Sequence, residues 1–178
     1  RHDSHPPAVR QKPVFSYHDG LERFLAAAPD LVLIRPMIDR GYAALIQGLE
    51  RNGITVVSLQ PAAIDDMYAY WRTLGRLTGR QARAEAQIVA FRQAVDAFQA
   101  LTRHIDPRPR VYFEAIHKRM KTFTPGSMPI FALEAAGGTN VAADAQRVRD
   151  TNIAFYGNER LLSRGPEIDV HLAQRGTM

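Results

Sequence analysis

Residues 80–105 run without a single glycine or proline. Within them Ala84, Ile88, Phe91, Val95, Phe98, Thr102 and Ile105 recur at steps of three and four, while Arg83, Gln87, Gln93, Asp96 and Arg103 fall on the opposite face. That period predicts one amphipathic helix. At 1.5 Å per residue it would span roughly 39 Å, more than the width of a small lobe, so it reads as a strut. A helix pair with a hidden break is the alternative. A helix over 65–77 precedes it, with Met67, Tyr70, Trp71, Leu74 and Leu77 on one face, and Gly79 separates the two.

The flanks have a different rhythm. Pro6, Pro7, Pro13 and Gly20 mark an irregular lead-in. A short helix over 21–28, a strand at 31–34, a helix over 40–51 and a strand at 54–59 follow, the last two separated by Asn52-Gly53. Leu31-Val32-Leu33-Ile34 is continuously apolar, as a buried parallel strand requires. Beyond the strut come a strand at 110–114, a loop with Pro125, Gly126 and Pro129, and a helix over 130–136 closed by Gly137-Gly138. Residues 139–158 are ambiguous apart from a strand near 153–156. A helix at 159–163 and a strand at 168–172 complete the pattern. Alternation of this kind predicts an α/β fold.

An internal echo supports two similar lobes. Glu22-Arg23-Phe24-Leu25, three residues, then Pro29-Asp30-Leu31-Val32-Leu33 parallels Glu159-Arg160-Leu161-Leu162, three residues, then Pro166-Glu167-Ile168-Asp169-Val170. Ligands in open α/β sheets gather where loops leave the carboxyl ends of strands.

Composition narrows the chemistry. The chain has 178 residues and no cysteine, which excludes thiol catalysis, cysteine-bound zinc and iron–sulfur clusters. No apolar run approaches the roughly 18 residues of a membrane span. The net charge of +5 is concentrated: Arg108, Arg110, Lys118, Arg119 and Lys121 stand against Glu114 alone in residues 107–125. A local knot of this kind suits a compact anion better than nucleic acid, which draws on extended basic faces with interleaved aromatics.

Several motifs then carry a resemblance. Leu21-Glu22-(x)6-Pro29-Asp30-Leu31-Val32-Leu33, Asn52-Gly53-Ile54-x-Val56-Val57 and Leu74-Gly75-(x)2-Thr78-Gly79-Arg80-(x)2-Arg83-Ala84 resemble the helical-backbone class of bacterial ABC-transporter solute-binding proteins. That class includes the iron-siderophore, haem and vitamin B12 binders. Arg110-Val111-Tyr112-Phe113-Glu114 is similar to the first strand of its C-terminal lobe, and Ala135-Ala136-Gly137-Gly138-Thr139-Asn140-Val141-Ala142 to its glycine-rich signature. Glu159-x-Leu161-Leu162-(x)3-Pro166-Glu167-Ile168 matches the last repeat of that lobe.

The resemblance implies two Rossmann-like lobes, the N-terminal one incomplete, joined by a long α-helix. It divides the chain into a partial N-terminal lobe at 1–64, a helical strut at 65–106 and a partial C-terminal lobe at 107–178. Family members begin before Arg1 and continue past the strand at 168–172, so the chain is expected to be the middle of a longer protein. Binding rather than catalysis is implied, with an iron-siderophore, haem or corrinoid-type ligand, no catalytic metal, no further cofactor and no nucleic acid. Ligand contacts are expected from loops after strands: Arg35, Met37 and Tyr42 in the first lobe, and His117, Lys118, Arg119, Met120 and Lys121 in the second. Tyr156, Tyr17 and His18 are further candidates. Arginine suits carboxylate, catecholate or propionate groups because its fork donates two parallel hydrogen bonds. A permease is the implied partner, docked through Asp39 and Glu134. The implied location is periplasmic or lipid-anchored outside the cytoplasm. The rival reading is a metal-chelatase-like enzyme on a similar frame using His104, His117, His171 and Glu114, although no His-Glu-x-x-His, Gly-x-Ser-x-Gly or Walker spacing occurs.

Overall fold

The computed structural model describes residues 11–148 and 151–174, except for the side chain of Lys118. Pro6 and Pro7 lie outside the described residues. The chain divides into two compact units, residues 1–60 and 61–178.

In the first unit, helix α1 (Leu21–Ala27) leads into strand β1 (Leu31–Ile34). Helices α2 (Pro36–Gly41) and α3 (Ala43–Arg51) then cross to strand β2 (Thr55–Ser58). The two strands are parallel, from Leu31 opposite Thr55 to Ile34 opposite Ser58. Phe24, Leu49 and Ile54 form the core, with Leu21, Leu25, Val32, Leu45 and Val56 packed around them. The helix expected over 40–51 starts earlier and breaks. Pro36 provides a ready-made first turn, and Tyr42 leaves helical geometry at φ −133° and ψ 39°. Its N–H still bonds Ile38 O, while its carbonyl opens α3 by accepting from Leu45 and Ile46.

The second unit begins with helices α4 (Ile64–Leu77) and α5 (Gln81–Thr102). Gly79 turns the chain between them at φ +64°. A Cβ at Gly75 would stand 2.7 Å from Cβ of Ala84, so glycine there permits the helices' close approach. Met67, Tyr68 and Ile88 form their shared core with Ile64, Trp71, Phe91 and Met128. The strut is 22 residues long and so ends before the expected residue 105. Ile88 is buried on it, while Phe98 and Ile105, assigned to the same face by period, are exposed. Its far end packs on helix α6 (Met128–Ala135), where the Thr102 hydroxyl donates to Ala135 O at 2.8 Å.

A mixed sheet fills the rest. Strand β3 (Arg110–Ile116) runs parallel to β5 (Thr139–Asn140) and to β8 (Val170–Ala173). It is antiparallel to β4 (Lys121–Phe123), which pairs β7 (Ile153–Phe155) and, through it, β6 (Gln146–Arg147). Alternation along β3 sends Val111 and Ala115 into a core with Phe123, Ile130 and Leu133. The intervening Tyr112 packs on Ala142 and Tyr156. Helix α7 (Asn158–Ser163) and a 3-10 turn at Gly165–Glu167 lead into β8, so the echoed helix–turn–strand units exist in both halves.

The α/β class therefore holds. The largest local difference follows residue 114, where a loop was expected. β3 instead continues to Ile116, a 3-10 turn spans His117–Arg119, and Met120 at φ 40° returns the chain into β4. Lys121 thus stands on a strand, opposite Phe155. Register shifts between Glu114, opposite Thr122, and Ile116, opposite Lys121, which places one extra residue, Ala115, in β3. This is a β-bulge.

Candidate functional site

One face of strands β3 and β8 carries a polar and aromatic cluster. His171 stands opposite Tyr112 in the parallel register, so both side chains share a sheet face with Glu114, two residues along β3. Glu114 is 1% exposed. Its Oε1 lies 2.6 Å from Nδ1 of His117, and its Oε2 lies 2.8 Å from Nε2 of His171. Tyr112 is fully buried and its hydroxyl donates to Met120 O at 3.0 Å. Burial, and then the charge of Glu114, pushes the Tyr112 phenol up to about 12.

Ring contacts continue this cluster sideways. Tyr112 lies 5.4 Å from the His171 ring and 5.6 Å from Tyr156, and the Arg160 guanidinium sits 4.9 Å from the Tyr156 centroid. Tyr156 forms part of the wall of an open groove of about 740 Å³, together with Arg119, Lys121, Phe155, Gly157, Asn158, Glu159 and Arg160. Its hydroxyl is buried without a hydrogen-bond partner. Burial, outweighing the nearby Arg164 and Arg160, raises its pKa, so the phenol is a neutral donor and not a ready-made phenolate. Phe155 is 55% exposed there. Arg160 and Arg164 pair with Asp144, whereas Arg119 and Lys121 have no ion-pair partner among the described residues. The groove therefore combines unneutralised cations with aromatic surface, which suits an anionic ligand with a large apolar body.

Of the expected contacts, Arg119, Lys121 and Tyr156 come together in this groove. His117 adjoins it through its turn but is not part of its lining. The side chain of Lys118 lies outside the described residues. In the first unit, Arg35 caps α2 directly after β1, and Met37 is exposed on that helix. Tyr42 meets Tyr17 edge-on at 4.9 Å and lies 5.8 Å from the His18 ring. Arg35, Met37, Tyr42, Tyr17 and His18 thus belong to one small region beyond β1. Asp39 and Glu134 are both exposed on helices, α2 and α6 respectively. His104 follows α5 and takes no part in the Glu114 cluster.

Sequence reasoning missed Phe155, Asn158 and Arg160 in the groove, and Tyr112 as the link to it. Alternation along β3 could have flagged Tyr112. The groove residues gave no period, because they lie on a strand of three residues and a helix of six.

Residues 2–168 match the periplasmic binding protein family, and the chain belongs to it. A cobalamin-binding protein of Halobacterium salinarum is 31% identical over 170 residues, covering 92% of this chain and 44% of its own length. The chain thus spans less than half of that curated relative. Among solved structures, a possible iron-binding (periplasmic solute-binding) protein from Staphylococcus epidermidis superposes with a TM-score of 0.83 at 20% identity, over 99% of this chain and 67% of that one. The periplasmic haem-binding protein HutB of Vibrio cholerae gives 0.74 at 16% identity, over 96% and 64%. At such identities these structures establish the fold. These relatives carry the names of binding proteins, not enzymes. Among the described residues no helix is long and apolar enough to cross a membrane.

Proposed function

We propose that the chain is the ligand-binding core of an extracytoplasmic solute-binding protein that feeds an ABC importer, and that its cargo is a metal chelate of the iron-siderophore, haem or corrinoid type. The observation that carries this reading is the groove whose lining joins Arg119 and Lys121, without an ion-pair partner among the described residues, to the rings of Phe155 and Tyr156. Cations meet the acidic arms of such a chelate, and the rings meet its apolar body. The cobalamin-binding relative and the haem- and iron-binding fold neighbours support that ligand class. Arg35, Met37 and Tyr42 are the candidate contacts proposed within the first unit itself.

Trp71 is the sole tryptophan, and a light-absorbing chelate bound to the chain quenches its emission and that of the tyrosines. Titration with haemin, cyanocobalamin and ferric siderophores is expected to give saturable quenching with at least one, weakened by Arg119→Ala and Lys121→Ala. Absence of binding to all of them overturns the reading. Asp39 and Glu134 are the proposed permease contacts. Reversing both charges in the full-length protein is expected to abolish uptake while leaving ligand affinity intact, and unchanged uptake removes that assignment. The convergence of Glu114, His117 and His171 is the one observation in favour of a metal-chelatase-like reading, and metal insertion into a porphyrin by the chain would replace binding with catalysis.

A further inference from the structure

A second concentration of positive charge lies on helices α4 and α5. Residues 67–95 carry Arg72, Arg76, Arg80, Arg83 and Arg92 against one carboxylate, Glu85. Arg72 takes that carboxylate with two hydrogen bonds, at 2.7 and 3.2 Å. Arg92 lies over the Tyr68 ring, its Cζ 4.4 Å from the centroid, and Arg76 donates to the Thr73 hydroxyl at 3.2 Å. Arg80 and Arg83 are left exposed, with no side-chain hydrogen bond or ion pair among the described residues.

Both guanidinium side chains border one shallow recess of about 200 Å³, lined also by Trp71, Leu74, Gly75, Ala84 and Gln87. Its floor forms where the two helices touch: a Cβ at Gly75 would stand 2.7 Å from that of Ala84. The turn that carries Arg80 is fixed, because the Arg80 N–H bonds Gly75 O at 2.6 Å and Thr78 ties back to Leu74 O through both its N–H and its hydroxyl. Trp71 is half-buried, edge-on to Phe91 at 5.4 Å, and supplies one wall. The recess thus joins two unneutralised donor forks to an apolar floor and an indole. A guanidinium fork matches the two oxygens of a carboxylate. A bare ion would meet the cations and leave the floor uncovered. A neutral ring would cover the floor and leave the cations unmet. A flat organic anion does both.

We propose that this recess is a second ligand site, for a planar aromatic carboxylate, with the carboxylate on Arg80 and Arg83 and the ring against Trp71, Leu74 and Ala84. The inference does not rest on the chelate-binding reading, since no residue of the recess lines the groove. It gives a task to the segment from Leu74 to Ala84, whose two arginines the groove leaves unused.

Trp71 lines the recess and is the sole tryptophan, so its emission reports occupancy. Titration of the whole chain with benzoate is expected to change that emission saturably. Benzyl alcohol keeps the ring without the charge, and inorganic phosphate keeps the charge without the ring; each is expected to bind at least about 10-fold more weakly. Replacing both arginines, Arg80→Ala with Arg83→Ala, is expected to weaken benzoate about 100-fold, with circular dichroism unchanged because both side chains are exposed. Arg80→Lys with Arg83→Lys keeps the charge but loses the fork, and is expected to recover only part of the affinity. Arg119→Ala and Lys121→Ala are expected to leave the benzoate titration as in the wild type. A response that never saturates, an unaltered affinity in the double alanine variant, or phosphate binding as tightly as benzoate overturns the proposal. So does a response lost in Arg119→Ala or Lys121→Ala and kept without Arg80 and Arg83, which would put benzoate in the groove. Failure of the chain to bind any chelate leaves this site standing.

Discussion

Tyr156 keeps a buried hydroxyl without a partner in the groove wall, and an unmade hydrogen bond is costly in a folded chain. Tyr156→Phe is therefore expected to raise stability by roughly 1 kcal/mol in urea denaturation while weakening ligand binding. Destabilisation would mean that the hydroxyl is already satisfied. Tyr112 makes a second residue-scale prediction. Its phenol titrates at about 12 in the fold against an ordinary 10.0. Below pH 10 the phenol is protonated in both states, so its contribution is complete. Between those values the unfolded chain ionises and the folded one does not, so stability falls as pH rises. Denaturation midpoints from pH 9 to 12 should show this decline, and Tyr112→Phe should flatten it. Single residues of the site were legible where chemistry was local: Arg119, Lys121 and His117 lie in the basic knot. Glu114 was not legible as their organiser, because its second partner, His171, is 57 positions away.

Helix α5 separates burial from period. Ile88 is 1% exposed and Leu101 is 77% exposed on the same helix. Ile88→Ala is expected to cost about 2–5 kcal/mol, whereas Leu101→Ala should stay within about 0.5 kcal/mol; chemical denaturation compares them. Gly137 terminates α6 at φ +89°, and a Cβ there would stand 2.7 Å from Cδ1 of Ile105 and 3.2 Å from Cβ of Thr102. Gly137→Ala should lose at least roughly 1–2 kcal/mol for the left-handed backbone alone. Elements with a long period or a firm stop were readable in advance, including α4, α5, β1, β2 and α6. The three-residue β4 and the two-residue β5 and β6 were not. They exist because the neighbouring strand completes their hydrogen bonds, a tertiary cause that leaves no local pattern.

At the scale of the molecule, each unit owns a separate core: Phe24, Leu49 and Ile54 in residues 1–60, and the remaining clusters in residues 61–178. A two-stranded sheet with five buried apolar side chains, Phe24, Ile38, Ile46, Leu49 and Ile54, is a small reserve of burial. Unfolding should therefore not be two-state. Trp71 reports only the second unit, so its fluorescence transition should occur at higher denaturant than the onset of helix loss by circular dichroism; coincident curves would show that the units unfold together. The strut, read from sequence as a separate piece, packs within the second unit. Periodicity located its helix to within three residues at each end but not its allegiance, because an apolar stripe does not name the surface that covers it.

The bulge at Ala115 makes the spacing of the chain, and not only its side chains, part of the Glu114–His117 arrangement. Removing that one residue would regularise the ladder with β4 and swing His117 off the carboxylate without altering any group in the cluster. In an alignment of related sequences, an ungapped Glu-x-x-His across the end of this strand therefore carries more information than the overall percentage of identical residues. A relative with both residues but a one-position gap between them should be grouped with those that lack the histidine.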